Sequence, residues 1–154
     1  MKKLIGLLLC FLMLSGCESL DYEMMVCKYQ GMNSLYYEIR YKEDEIRDII
    51  VVEYLDLKDV PEQVYKERLD YFEKLQKIME RYAGIAAYLE NDGKELSLKA
   101  VVDHEKYDCY KDSLDLFKVD LVKGDFDSVE TLRNKLVTST MECDVLVSLE
   151  KINE

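Results

Sequence analysis

The sequence has no tryptophan, one proline (Pro61) and one histidine (His104) among its 154 residues. With so little proline, long stretches are free to pair as strands or wind as helices. A lone histidine excludes every site built on two imidazoles, the HExxH zinc pattern included. There is no CxxC pair, which removes support for a thioredoxin-like redox role. Nucleophile-elbow, P-loop and EF-hand patterns are also missing, and no cofactor motif takes their place. No apolar run approaches the ~20 residues needed to span a bilayer. Basic residues are outnumbered, 21 against 32 acidic, for a net charge of −11. That balance argues against nucleic acid and against a peripheral grip on anionic lipid, since both need Lys/Arg patches. Apolar residues make up 49% of the chain, so it has the means to fold around a core.

What is present begins with an address. Lys2 and Lys3 precede the uncharged apolar run Leu4 to Leu14, and Leu14-Ser15-Gly16-Cys17 closes it with small residues before a cysteine. This order reads as a secretory signal peptide. Its ending resembles the lipobox of bacterial lipoproteins, in which the cysteine takes a diacylglycerol thioether and becomes the mature N-terminus. An ordinary signal peptide without lipid is the competing reading. On the lipobox reading, residues 1–16 are removed, Cys17 carries the lipid, 17–21 form a tether and 22–154 form one domain. The remaining 138 residues keep 19 basic side chains against 32 acidic ones, a net −13. The expected location is the outer, extracytoplasmic face of the cell membrane, held through the Cys17 lipid.

The rest of the chain alternates strand and helix patterns. Tyr22 to Tyr29 has strand character, and Leu35, Tyr37, Ile39 and Tyr41 alternate with Tyr36, Glu38, Arg40 and Lys42. That period of two marks a half-buried strand. Ile46 to Leu55 contains Ile49-Ile50-Val51-Val52, which suits a central strand covered on both faces. The three segments read as an antiparallel meander. Asp59-Val60-Pro61-Glu62 opens a helix, with Asp59 the expected cap. The helix is expected to reach Tyr82, with Gly84 as its C-terminal glycine. Its inward stripe is read as Val64, Arg68, Tyr71/Phe72, Leu75, Ile78/Met79 and Tyr82. Three i,i+4 ion pairs, Glu62–Lys66, Asp70–Lys74 and Glu73–Lys77, are expected on its outer faces. Asn91-Asp92-Gly93-Lys94 between two alternating runs signals a hairpin. A short helix is expected near 112–117 and a second full helix from Ser128 to Val137, capped by Asp127 or Ser128. Cys143, Val145, Val147 and Leu149 suggest a closing strand. The fold class is therefore α+β: an antiparallel sheet of five to six strands with one long and one shorter helix packed on it.

Two sets of residues bear chemistry. Export permits disulfides, and Cys10 leaves with the signal peptide, so Cys27, Cys109 and Cys143 remain. Cys27 lies in the first expected strand and Cys143 opens the last, and terminal strands often lie close together. The expected bridge is Cys27–Cys143, with Cys109 free. No Cys/His spacing suggests a metal site. His104, in Asp103-His104-Glu105, reads either as a loop residue or as a general base beside carboxylates. The tyrosines, 12 in all, either pack the core and sheet or line a groove.

Taken together, the lipobox, the run Tyr36-Tyr37-Glu38-Ile39-Arg40-Tyr41-Lys42 leading into Asp44-Glu45-Ile46, and Tyr82-Ala83-Gly84-Ile85 resemble the YehR-like lipoproteins. These form a bacterial family of unknown function. The resemblance implies an antiparallel sheet with helices packed on it and an extracytoplasmic lipoprotein, and it transfers no active-site residues. It is weakest across 103–125. The function expected is a non-enzymatic envelope lipoprotein that binds a small ligand or an envelope protein. The alternative is a lipid-anchored hydrolase-like enzyme using His104 and neighbouring carboxylates.

Overall fold

The computed structural model of the protein describes residues 22–29, 34–107, 119 and 121–146. The expected signal peptide, Cys17, Cys109 and the short helix at 112–117 lie outside the described residues. Six strands form one sheet: β1 (Glu23–Tyr29), β2 (Ser34–Lys42), β3 (Glu45–Asp56), β4 (Ile85–Asn91), β5 (Glu95–Val102) and β6 (Met141–Leu146). Their order is β4-β5-β3-β2-β1-β6, and every neighbouring pair is antiparallel. Helix α1 (Glu62–Met79) follows β3 and helix α2 (Val129–Thr138) precedes β6. This is the expected α+β fold, including the β1-β2-β3 meander and the hairpin around Gly93.

The pleat decides which side chains meet the helices. Across the sheet Cys143, Cys27, Tyr37, Val51, Ala100 and Ala87 are successive cross-strand partners and so share one face. All but Cys143 are buried members of the core, and Cys143 packs against it. The alternating residues Leu35, Tyr37, Ile39 and Tyr41 all reach this core, as do Leu96, Leu98, Ala100 and Val102. In β3 the run Val51-Val52-Glu53 is buried throughout, so that strand is covered on both faces there. A register shift opposite Arg40 and Tyr41 places one extra residue, Arg47, in β3. That bulge lets both Ile46 and Ile49 reach the core although they are three residues apart.

Helix α1 departs from expectation at both ends. Asp59 is in the left-handed region at φ 57° and does not cap; Pro61 holds the N-cap position without a side-chain bond. A proline there sets φ for the first turn and has no N–H to satisfy. The helix ends at Met79, capped by the Glu80 backbone, so Gly84 is not its C-terminal glycine. The inward stripe follows the expected one except at Val64 and Tyr71. Phe72, Leu75 and Met79 are buried, with Tyr65, Leu69 and Ile78 packed beside them, while Val64 and Tyr71 are exposed. Of the three expected i,i+4 pairs among the described residues, Glu62–Lys66 closes, at 2.6 Å.

Arg68 does turn inward. Its guanidinium lies over Tyr71 and Phe72 and meets the Glu53 carboxylate at 2.9 Å. Glu53 is 6% exposed on the face that receives α1, so this ion pair fastens the helix to the central strand from inside. Helix α2 buries Val129, Leu132 and Leu136 as its spacing requires. Its cap is Ser128, whose Oγ accepts from the Thr131 amide at 3.1 Å. Strand β6 forms an edge of the sheet, and Val145, expected inward, is half exposed. Val147 and Leu149 lie outside the described residues.

Cys27 and Cys143 are directly opposed in β1 and β6, with their sulfurs at disulfide-bonding distance. A bridge across 116 residues of sequence ties the edge strand to the sheet. Replacing both by serine should cost ~4 kcal/mol in the chain-entropy account, read as a lowered urea midpoint. Reduction of the unaltered protein should reproduce that loss. Arg68→Ala removes the ion pair from a buried carboxylate and should cost ~3 kcal/mol by the same measurement, whereas Lys66→Ala should change stability by no more than ~0.5 kcal/mol.

Candidate functional site

A cleft of about 450 Å³ opens at one end of the sheet. One wall is the start of β3, Glu45 to Asp48, including the bulge residue Arg47. A second is the end of β5 and the turn carrying Asp103, His104 and Glu105. Phe126 and Asp127, just before α2, complete it. Its volume lies within the range of small-molecule sites.

The turn that presents His104 depends on Gly84. The Asp103 amide donates to the Gly84 carbonyl at 2.7 Å, and the Tyr107 amide closes the turn on the Asp103 carbonyl at 2.9 Å. Gly84 has φ +82°, and a β-carbon there would stand 2.6 Å from the Tyr107 nitrogen and 2.7 Å from the Asp103 oxygen. Only glycine admits so close a backbone approach. Tyr107, buried, meets Phe126 edge-on at 6.5 Å, and the other side of the cleft brings Phe126 within 6.2 Å of the His104 ring. Phe126 sits in a 3₁₀ turn (Lys123–Phe126) in which Asp125 accepts from the Val122 amide at 2.7 Å. Asp44, in the β2–β3 turn, then holds the start of α2: its carbonyl and carboxylate accept from the Val129 and Glu130 amides at 3.2 and 3.3 Å. Three sequence-distant segments are thus locked around one opening.

The charges inside are unequal. Glu45 is neutralised by Arg47 at 3.0 Å, and Asp103 by Lys106, whose hydrogen bond holds the Asp103 carboxyl below its usual range. Asp48, Glu105 and Asp127 form no ion pair among the described residues, which leaves the cleft acidic. His104 is partly exposed, and its ring lies against Phe126. It makes no hydrogen bond to a carboxylate among the described residues. No group of three or more His, Cys, Asp or Glu side chains there is arranged to hold a metal ion. The residue types at 103–105 pointed to this place. The contributions of Gly84, Asp44 and Phe126 were not visible, because they arise from contacts between segments far apart in sequence.

The chain matches no protein-family model and no curated protein. Its fold is similar to that of the NMR structure of a protein from Streptococcus pneumoniae TIGR4. The two superpose with a TM-score of 0.52 at 13% identity, covering 83% of this chain and 88% of that one. At that identity the likeness supports the fold alone. Among the described residues, no helix is long and apolar enough to cross a membrane.

Tyr41 stands at the same end, paired with Glu23 on one side and with the cleft residue Ile46 on the other. Burial, reinforced by the Glu23 carboxylate at its hydroxyl, pushes its phenol up to about 12. A phenol raised above its unfolded value of ~10 favours the native state at neutral pH and loses that contribution as pH climbs from about 10 to 12. Urea midpoints of the unaltered protein should therefore fall more steeply over that interval than those of Tyr41→Phe, the gap amounting to ~2 kcal/mol.

Proposed function

We propose that this protein is a lipid-anchored extracytoplasmic lipoprotein whose cleft binds a small cationic ligand close to the membrane. The observation that carries the proposal is the position of the chain's entry into the fold. β1 begins at Glu23, opposite Tyr41, whose other partner Ile46 lines the cleft. Only five residues separate Cys17 from Glu23, a reach of at most ~20 Å when extended. A lipid on Cys17 therefore holds the His104 end of the sheet toward the bilayer. The net −13 of the mature chain repels an anionic surface and keeps the domain on its tether. The unpaired carboxylates of Asp48, Glu105 and Asp127 beside the Phe126 ring suit an ammonium or amidine group, which gains from both charge and ring face. The resemblance to the YehR-like lipoproteins belongs to the same proposal.

A second reading is a lipid-anchored hydrolase, and the sharing of one cleft by His104 and several carboxylates favours it. A general base needs a partner that orients its ring, and Glu105 or Asp48 would have to move to supply one. Metabolic labelling with radioactive palmitate tests the anchor: label should enter the wild-type chain and be lost in Cys17→Ser. Native mass spectrometry of the protein released gently from its own envelope tests the cleft. Excess mass that disappears on denaturation, and is absent from Asp48→Asn/Asp127→Asn but retained by His104→Ala, supports binding. Its loss in His104→Ala alone would move the reading to the enzyme.

A further inference from the structure

The face of the sheet turned away from both helices has a chemistry of its own at the end opposite the cleft. Register puts Tyr36, Val52, Lys99 and Tyr88 in one row, and Tyr54, Ser97 and Glu90 in the next. Tyr36 and Tyr54 meet edge-on with ring centres 6.0 Å apart. Val52 is 1% exposed yet does not belong to the main core, so it is buried on this face by its neighbours. Ser97 is 4% exposed, and its hydroxyl has no hydrogen-bond partner among the described residues. A buried hydroxyl without a partner is unfavourable in a finished fold and marks a place where a ligand group supplies the bond.

Around this patch carboxylates are in excess. Glu38, Glu90 and Glu95 stand on the face; Lys99 is engaged by Glu90, and Lys28 of β1 stands beside Tyr36 with Glu142 of β6 on its other side. Burial and the neighbouring carboxylates of Glu38, Glu95 and Glu90 push the Tyr36 phenol up. Burial likewise raises the Glu95 carboxyl, helped by Asp92, Asp56 and Glu90. Both shifts come first from burial and second from neighbouring carboxylates.

We propose that this face docks a basic segment of a partner protein, a lysine or arginine side chain seating against Tyr36 and Tyr54, paired with Glu95 and hydrogen-bonded to Ser97 Oγ. Charge complementarity selects a cation, and tyrosine faces with flanking carboxylates hold one well. Breadth selects a protein over a small amine: the patch crosses the sheet from Tyr36 through Val52 and Lys99 to Tyr88, which is 52% exposed. Small ligands take clefts, whereas open tyrosine-rich faces take macromolecules. The surface is separate from the His104 cleft and does not depend on its ligand.

The probe is a fluorescein-labelled nonapeptide alternating lysine and serine, with its glutamate counterpart as control. The full lipidated chain is kept in neutral detergent, and binding is followed by anisotropy. The lysine peptide should bind and the glutamate peptide should not. Glu95→Gln and Ser97→Ala should each weaken binding about threefold or more, while Glu73→Gln on the outer side of α1 removes the same charge with little effect. Because Ser97→Ala removes an unsatisfied hydroxyl and Glu95→Gln a crowded charge, neither should lower the melting temperature. Peptide-induced amide shifts should gather on β2, β3 and β5 around Tyr36, Tyr54 and Ser97. Absence of binding, equal weakening by Glu73→Gln, or shifts confined to 45–48 and 103–105 would each overturn the proposal.

Discussion

The register of the sheet, from Cys143 through Cys27, Tyr37 and Val51 to Ala100 and Ala87, is the constraint on which the rest depends. A slip of one residue in any strand would exchange its core side chains for its solvent side chains. The register sets Glu53 under α1, where Arg68 of the helix meets it, and it brings Cys27 and Cys143 face to face. It also aligns Tyr36, Tyr54 and Ser97 on the opposite side. One pleat thus makes a core, an inter-layer ion pair, a covalent tie and an open face.

The two ends of the sheet have different characters. At the end where the chain enters, the bulge at Arg47, the Gly84-dependent turn and the Asp44 grip on α2 enclose a cleft. At the other end the strands present tyrosines and carboxylates on an open surface. Acidity in the sequence is a solubility property by itself. In the fold it becomes local, because some carboxylates are neutralised, as in Glu53–Arg68 and Glu45–Arg47, and others such as Asp48 and Glu95 are left facing outward.

Legibility followed the range of the interactions. Alternation in 35–42 and 95–102 identified strand faces correctly, because a half-buried strand must repeat every two residues. The start of α2 was legible from local capping chemistry at Ser128. The α1 stripe was legible from Arg68 through Phe72, Leu75 and Met79 to Tyr82. It failed at Val64 and Tyr71, which are apolar enough to look buried but stand exposed beside it. Gly84 was recognised as special and assigned the wrong task. Its φ would suit a helix end, but the cause is the backbone of 103–107 pressing against it.

The sequence by itself determined the fold class, the strand faces and which cysteines could meet, since each follows from short-range periodicity or from placement at the chain's ends. His104 read from the sequence either as a loop residue or as a general base. Only the tertiary structure decided that His104 stands over Phe126 in an acidic cleft, that Ser97 is buried with no hydrogen-bond partner among the described residues, and that carboxylates without an ion pair among those residues stand at both ends. Those facts depend on backbone approach and charge pairing between segments tens of residues apart, and no local pattern in the chain encodes such distances.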